Sequence, residues 1–125
     1  SIDAFAACGV KVMMTELDLN VLPSPAHFGG ANVSDRFEYN KSMNPYSAGL
    51  PDSVAQKVRN RYLDLFKVYY RHRSQISRVT LWGVSDRGSW LNNWPIPGRT
   101  NYPLLFDREY QAKPVVKDII DLFNK

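Results

Sequence analysis

Two carboxylic acids, Glu16 and Asp18, follow an apolar stretch and are the side chains best suited to catalysis. They end the run VKVMMTELD, whose valine-rich alternation predicts a strand over residues 10–18. Alternation places both acids on the same face as Val12 and Met14. Carboxylates at the end of an apolar strand are unfavourable to bury without partners. The pattern therefore fits either a catalytic site or an ordinary solvated strand end.

Glycoside hydrolysis is one reaction that needs a glutamate in such a place. Retaining glycosidases use one carboxylate as the nucleophile and a second as the acid/base, with the two groups roughly 5–5.5 Å apart. Asp18 is a poor candidate for the second group, because the helping acid usually comes from a different strand. It is better suited to orient a neighbouring side chain and to keep Glu16 ionised.

Three tryptophans form the second group of candidate site residues. Trp82 belongs to the apolar run RVTLWGV, predicted as a strand over residues 78–84, and Trp90 and Trp94 follow in a polar loop. Aromatic rings beside amides such as Asn92 suit sugar binding, because the ring stacks on the apolar face of a pyranose and the amide bonds its hydroxyls. The alternative is that the tryptophans are core residues, since tryptophan is often largely buried.

The elements that would position these residues alternate between helix and strand. The remaining segments are a helix over 1–8, a loop over 20–52, a helix over 53–73, a loop over 85–111 and a helix from about Pro114. A capping box of Ser53 and Gln56 is predicted to start the long helix. Both long loops follow strands, as in α/β barrels, whose active-site loops lie at the carboxyl ends of the strands. Two strands cannot close a barrel, so the pattern predicts the C-terminal part of a (β/α)₈ TIM barrel over residues 1–125.

Composition and charge argue against several other classes of protein. The net charge is +4, but the basic residues are scattered, whereas nucleic-acid binders usually show a concentrated patch. Cys8, the single cysteine, excludes an internal disulfide, and its small neighbours predict a buried thiol near a helix end. No metal-ligand spacing links Cys8, His27 and His72. No apolar stretch reaches the roughly 18 residues of a membrane span, and no cofactor is predicted.

The sequence resembles family 10 of the glycoside hydrolases, the endo-β-1,4-xylanases, over essentially its whole length. The resemblance lies in three runs in the expected order: MTELDLNV, VTLWGVSDRGSWL and NYPLLFDREYQAKPVV. They are similar to the nucleophile motif of the seventh barrel strand, to the motif of the eighth strand, and to the segment that leads into the last helix. The resemblance implies retaining hydrolysis of xylan through a covalent glycosyl-enzyme intermediate.

The resemblance also implies roles for individual residues. Glu16 matches the catalytic nucleophile, and Asp18 matches the partner of a histidine on strand six. Trp82 and Trp90 match the two tryptophans that shape the glycone-side subsites. Asp86 matches the aspartate of the WGxxD motif and is interpreted as a loop anchor. The predicted sugar contacts are completed by Trp94, Asn92 and Asn20, the last of which occupies a position where some relatives carry arginine.

The acid/base glutamate of the family, in an Asn-Glu motif on strand four, has no counterpart in this sequence. We therefore expect a complementary N-terminal segment of the same barrel to supply it, and xylan or a xylo-oligosaccharide to be the substrate. A secreted, periplasmic or cell-surface location is implied by the resemblance alone. Two alternatives stay open: a β-glucanase of similar barrel architecture and a non-catalytic carbohydrate-binding module. Such modules are usually all-β, against which the helix over 53–73 argues.

Overall fold

The computed structural model describes residues 2–29 and 32–125 and has a helix–strand–helix–strand–helix order. The elements are α1 (Ile2–Ala7), β1 (Val12–Leu17), α2 (Asp52–Arg71), β2 (Ile76–Leu81) and α3 (Pro114–Phe123). Short 3₁₀ turns interrupt the two long loops at Lys41–Met43, Asp86–Gly88 and Trp90–Asn92. The predicted order of elements is confirmed. Ser1 of the predicted first helix and Gly30 of the first loop lie outside the described residues.

The strands β1 and β2 form a parallel pair, with α2 as the crossover between them. Their register pairs Val12 with Ile76 and Leu17 with Leu81. Both strands are shorter than predicted. In β1 the register shifts between Met14 and Leu17, so strict alternation fails and Thr15 and Glu16 are both exposed.

The helix α2 begins at Asp52 with Pro51 as its N-cap, and the predicted capping box is wrong. No side chain caps this end, because Ser53 already lies within the first turn. The amide of Gln56 instead donates from Nε2 to Oδ1 of Asn60, at 2.8 Å. The last helix does begin at Pro114 as predicted, with the proline in the first turn, where its missing N–H is harmless.

The apolar core lies where α2, α3 and the segment before α3 meet the strands. Tyr62, Leu105 and Val115 are buried there, and Leu17 and Leu81 of the strands pack against them. The Tyr62 hydroxyl donates to the carbonyl of Pro103, so the one polar atom of this side chain is satisfied. Burial raises the pKa of Tyr62 well above its ordinary value. Through this core, the segment preceding α3 packs against the strand pair.

An ion pair joins the outer faces of α2 and α3. Arg59 donates from Nε to Oδ2 of Asp118 at 2.6 Å and from its terminal nitrogen NH2 to Oδ1 at 2.8 Å. This two-point geometry is the preferred way for a guanidinium to bind a carboxylate. It links α2 to α3 in addition to their apolar contacts.

Cys8 departs from the sequence prediction of a buried thiol, because it is exposed. The helix α1 buries none of its residues, and the Cys8 thiol makes only a weak contact with the carbonyl of Ala4, at 3.4 Å. In the described ranges no helix is both long and apolar enough to cross a membrane.

Candidate active site

The carboxyl ends of β1 and β2 bring the first predicted site residues side by side. The backbone N–H of Trp82 donates to the carbonyl of Leu17 at 3.0 Å, and Leu17 stands between Glu16 and Asp18. The Glu16 side chain is exposed at this end, and Trp82 is 49% exposed. A parallel pair presents both strand ends on one edge, which is why two distant motifs converge here.

Asp18 holds the indole of Trp90. Nε1 of Trp90 donates to Oδ2 of Asp18 at 2.9 Å. Burial raises the pKa of Asp18; the hydrogen bond from Trp90 opposes this shift, and the nearby charge of Glu16 adds to it. This contact fits the predicted orienting role of Asp18, which stays a prediction, whereas the repulsion between the two like charges argues against the prediction that Asp18 keeps Glu16 ionised.

Trp90 and Trp94 form a stacked pair, with ring centroids 4.6 Å apart and planes inclined by 18°. Trp90 is 38% exposed, whereas Trp94 is half-buried beneath it. An offset stack of this kind is a favourable arrangement for two aromatic rings. Trp94 therefore lies next to the candidate site as predicted, but as a support for Trp90.

Asn92 is buried and bonded within its own loop, which argues against its predicted contact with sugar. It is buried, and its Nδ2 donates to the carbonyls of Asp86 and Ser89 at 2.8 and 2.9 Å. Its Oδ1 accepts from the backbone N–H of Asn101 at 2.9 Å. The amide therefore holds its own loop together, and its contact with sugar stays a prediction.

Asn20 lies in the turn after β1, and its side chain is also engaged. Its Oδ1 accepts from the backbone N–H of Leu22 at 3.1 Å and from Nδ2 of Asn101 at 2.8 Å. Asn101 is fully buried, and its own Oδ1 accepts from the backbone N–H of Val21 at 3.2 Å. The two asparagines thereby tie the loop after β1 to the loop after β2.

Asp86 anchors the loop after β2, as its interpretation from the sequence proposed. The carboxylate is fully buried; Oδ1 accepts from the backbone N–H of Leu104 at 2.8 Å, and Oδ2 lies 2.8 Å from Nζ of Lys113. Burial raises the pKa of Asp86 and lowers that of Lys113, and their mutual attraction opposes both shifts. The ammonium also donates to the carbonyls of Tyr102 and Leu104, which completes its three hydrogen bonds.

Arg99 and Asn101 were not predicted from the sequence as site residues. They join the loop after β1 to the loop after β2. Arg99 is only 3% exposed, and it donates to the carbonyls of Pro23 and Trp94 at 3.0 and 3.2 Å. Burial lowers its pKa. Neither residue belongs to a periodic pattern or a motif with known spacing, so no local signal marks them. Their one sequence hint is a polar run between prolines.

One cavity lies beside the buried Asp86. It measures about 640 Å³ and is formed by the loop at 47–50, the start of α2 and the segment over 100–115. None of the predicted catalytic or sugar-contact residues lines it. Within residues 2–29 and 32–125, no group of three or more metal-ligating side chains comes together.

The sequence and the fold both match known xylanases. The profile of Glycosyl hydrolase family 10 matches residues 1–122. Endo-1,4-beta-xylanase A of Xylanibacter ruminicola is 54% identical over 124 residues, covering 99% of this chain and 34% of that protein. The thermostable celloxylanase of Thermoclostridium stercorarium is 36% identical over 121 residues, covering 97% of this chain and 27% of that protein.

Solved structures agree with the sequence matches. A GH10 endoxylanase from a sugarcane soil metagenome superposes with a TM-score of 0.91 at 50% identity, covering 97% of this chain and 35% of that one. A structure in complex with xylotriose superposes with a TM-score of 0.72 at 31% identity, covering 96% of this chain and 32% of that one. The chain thus spans about a third of its relatives' length, and its fold is the predicted C-terminal part of a (β/α)₈ barrel. Since the family profile covers nearly every residue, the chain belongs to glycosyl hydrolase family 10.

Proposed function

We propose that this chain supplies the nucleophile of a retaining endo-β-1,4-xylanase, and that Glu16 is that nucleophile. The observation that carries the proposal is the position of Glu16. It is exposed at the carboxyl end of β1, beside Trp82 and next to the aspartate that holds Trp90. Catalytic residues of barrel enzymes come from the carboxyl ends of several strands. The family membership of the chain gives the reaction class.

In the proposed first step, a carboxylate oxygen of Glu16 attacks the anomeric carbon of the glycone-side xylose. The bond from that carbon to the bridging oxygen breaks, and the bridging oxygen takes a proton from a carboxylic acid of the barrel. In the second step, that acid, now a base, removes a proton from water, and the water oxygen displaces Glu16. Two inversions at one carbon give net retention of configuration.

The acid/base group is assigned to the part of the barrel outside this chain. Asp18 is unsuited to it, because Oδ2 already accepts from the Trp90 indole at 2.9 Å and the residue directly follows the strand that carries Glu16. The acid must protonate the bridging oxygen from another side of the scissile bond. We propose that a complementary N-terminal segment of the barrel carries that glutamate.

Trp82 and Trp90 are proposed to form the glycone-side sugar platform. Both are exposed, at 49% and 38%, and both follow the end of β2. Trp94 supports Trp90 from beneath. The amide of Asn20 is engaged with Leu22 and Asn101. We therefore propose for Asn20 only that it shapes the loop after β1.

Xylan or a xylo-oligosaccharide is the proposed substrate, because the relatives are named endo-1,4-beta-xylanases and one solved structure contains xylotriose. The name celloxylanase for another relative keeps a β-glucan as the second substrate to assay. Because a polysaccharide of this size is met outside the cytoplasm, we propose that the enzyme is secreted, periplasmic or at the cell surface.

The proposal is tested in the complete barrel by comparing Glu16→Ala with Glu38→Ala, a glutamate of the loop at 23–50. We expect Glu16→Ala to lower kcat on xylo-oligosaccharides by several orders of magnitude, since the covalent route is lost. Glu38→Ala should retain kcat. Proton NMR of the first product should show the β-anomer. Full activity of Glu16→Ala, or an α-anomer, would refute the assignment.

A further inference from the structure

An aromatic chain connects the first long loop to the candidate sugar platform. The Phe28 ring meets Trp94 edge-on, with centroids 5.0 Å apart and planes inclined by 69°. Phe37 also packs against Phe28, with centroids 6.0 Å apart and planes inclined by 89°. Trp94 in turn stacks under Trp90, which donates to Asp18. Side-chain contacts therefore connect Phe28 and Phe37 to Asp18, the residue that follows β1.

Polar contacts join the same two segments. Arg99 is buried and donates to the carbonyl of Pro23, in the first loop, and to the carbonyl of Trp94. The backbone N–H of Phe37 donates to the carbonyl of Pro95 at 3.0 Å. These contacts need no particular side chain on Phe28, so the loop stays attached if that ring is removed.

The stack also determines which face of Trp90 is free. Trp94 covers one face at 4.6 Å, and Asp18 holds the Nε1 edge. The exposed part of Trp90 is therefore its opposite face. A sugar can stack only there, and the tilt of that face depends on where Trp94 lies.

We propose that Phe28 is a positioning residue that sets the plane of the Trp90 ring through Trp94. Through these contacts, the loop after β1 tunes the affinity for the glycone-side sugar. The inference rests on the proposed function, since it assumes that Trp90 is a sugar platform. An edge-to-face aromatic pair of this kind corresponds to about a two- to tenfold change in an equilibrium constant. The effect belongs in KM, because a tilted platform weakens binding and leaves the reacting carboxylates in place.

The test uses Phe28→Leu, which keeps apolar volume but removes the aromatic edge, and Phe28→Ala, both in the complete barrel. Tyr39→Leu is the matched control, because Tyr39 is an aromatic residue of the same loop and is 53% exposed. Two quantities are measured: KM for xylo-oligosaccharides, and the exciton signal that a stacked tryptophan pair gives in circular dichroism. That signal is defined as the component lost in Trp90→Phe.

We expect both Phe28 variants to weaken the exciton signal and to raise KM about two- to tenfold, with kcat nearly unchanged. Tyr39→Leu should change neither. An unaltered exciton signal in both Phe28 variants would overturn the inference. So would a weakened signal with unchanged KM, provided that Trp90→Ala itself raises KM. If Trp90→Ala leaves KM unchanged, the platform of the proposed function fails and this inference fails with it.

Discussion

Asp18 shows how a single carboxylate serves two parts of the candidate site. It accepts a hydrogen bond from the Trp90 indole. It also lies close enough to Glu16 for the charge of Glu16 to raise the pKa of Asp18, in addition to the effect of burial. The sequence could predict an orienting role, because two acids on one strand cannot flank a bond from both sides. It could not predict Trp90 as the partner, since the two residues are separated by the whole of α2 and β2.

Trp90→Ala should separate a sugar platform from a core residue. The side chain is 38% exposed, so its truncation leaves little cavity, and we expect the melting temperature of the complete barrel to stay within a few degrees. Turnover of xylo-oligosaccharides should fall because the stacking surface is lost. A loss of more than roughly 3 kcal/mol in the free energy of unfolding, the scale of a buried tryptophan truncation, would instead make Trp90 part of the core.

At the scale of elements, the loop after β2 keeps its shape through buried polar contacts. Asp86, Asn92 and Asn101 are all buried, and each bonds backbone groups of the same loop region. Buried polar groups are costly unless they are satisfied, so such a network selects one loop conformation over the alternatives. Trp90, which we propose as part of a sugar platform, lies on this loop.

Asp86→Asn should be among the most destabilising single changes in the loop. It would leave the Lys113 ammonium, 2.8 Å from Oδ2, without its counter-ion in a buried place, and breaking such a pair costs about 3–5 kcal/mol. Chemical denaturation of the complete barrel measures the change. Asp121→Asn serves as control, because Asp121 pairs with Lys117 on the exposed face of α3 and should matter little. Equal effects of the two substitutions would contradict the anchor role.

Gly83 lies just after β2, in a backbone conformation and a close contact that favour glycine. Its φ is 142°, and an added Cβ would lie 2.8 Å from Cδ1 of the buried Leu104. Gly83→Ala should therefore destabilise the complete barrel by about 1–3 kcal/mol and disturb the neighbouring Trp82. Gly98→Ala is the matched control, because its φ of 79° is also positive but a Cβ there meets no atom within 4 Å. If the two glycines respond alike, the contact with Leu104 is unimportant.

Apolar periodicity and the positions of proline and glycine predicted the order of the helices and strands. Local geometry explains the predictions that were wrong. The apolar spacing of α2 and the proline at the start of α3 are visible in the sequence. The N-cap at Pro51 was missed because a capping motif gives only one of several possible starts. The hydrogen bonds that Asn92 makes within its loop were not predicted, because the sequence does not show whether a loop amide faces a ligand or the backbone. Arg99 and Asn101 bond over long sequence separations that no motif records.

At the scale of the whole molecule, the parallel strand pair is the feature that most needs further strands and helices for its stability. Parallel sheets are found almost only where helices cover both faces and neighbouring strands continue the ladder. Here two strands form the sheet of the described residues, and apolar side chains at and near the strands, such as Val10, Met13 and Val84, are more than half exposed. These surfaces are the ones that the other strands of a barrel would cover.

Residues 1–125 expressed alone should therefore lack xylanase activity and should aggregate or remain molten. Activity should appear when the complementary barrel segment is added or fused, because we propose that this segment supplies the acid/base and covers the strand edges. Size-exclusion chromatography, circular dichroism melting and a xylan assay follow the two states. A monomeric, cooperatively folding and active 125-residue product would contradict both the need for a complementary segment and the assignment of the acid/base to it.

The most direct test of the central claim is to identify the residue that becomes covalently bound to sugar. The complete barrel is incubated with a 2-fluoro-xylobioside that carries a good leaving group, so that the covalent intermediate accumulates, and the labelled peptide is sequenced by mass spectrometry. We predict a single fluoro-xylobiosyl group on the Glu16 carboxylate, within the run MTELDLNV. A label on Asp18 or any other residue, or the absence of a label from an enzyme that hydrolyses xylan, would contradict the account.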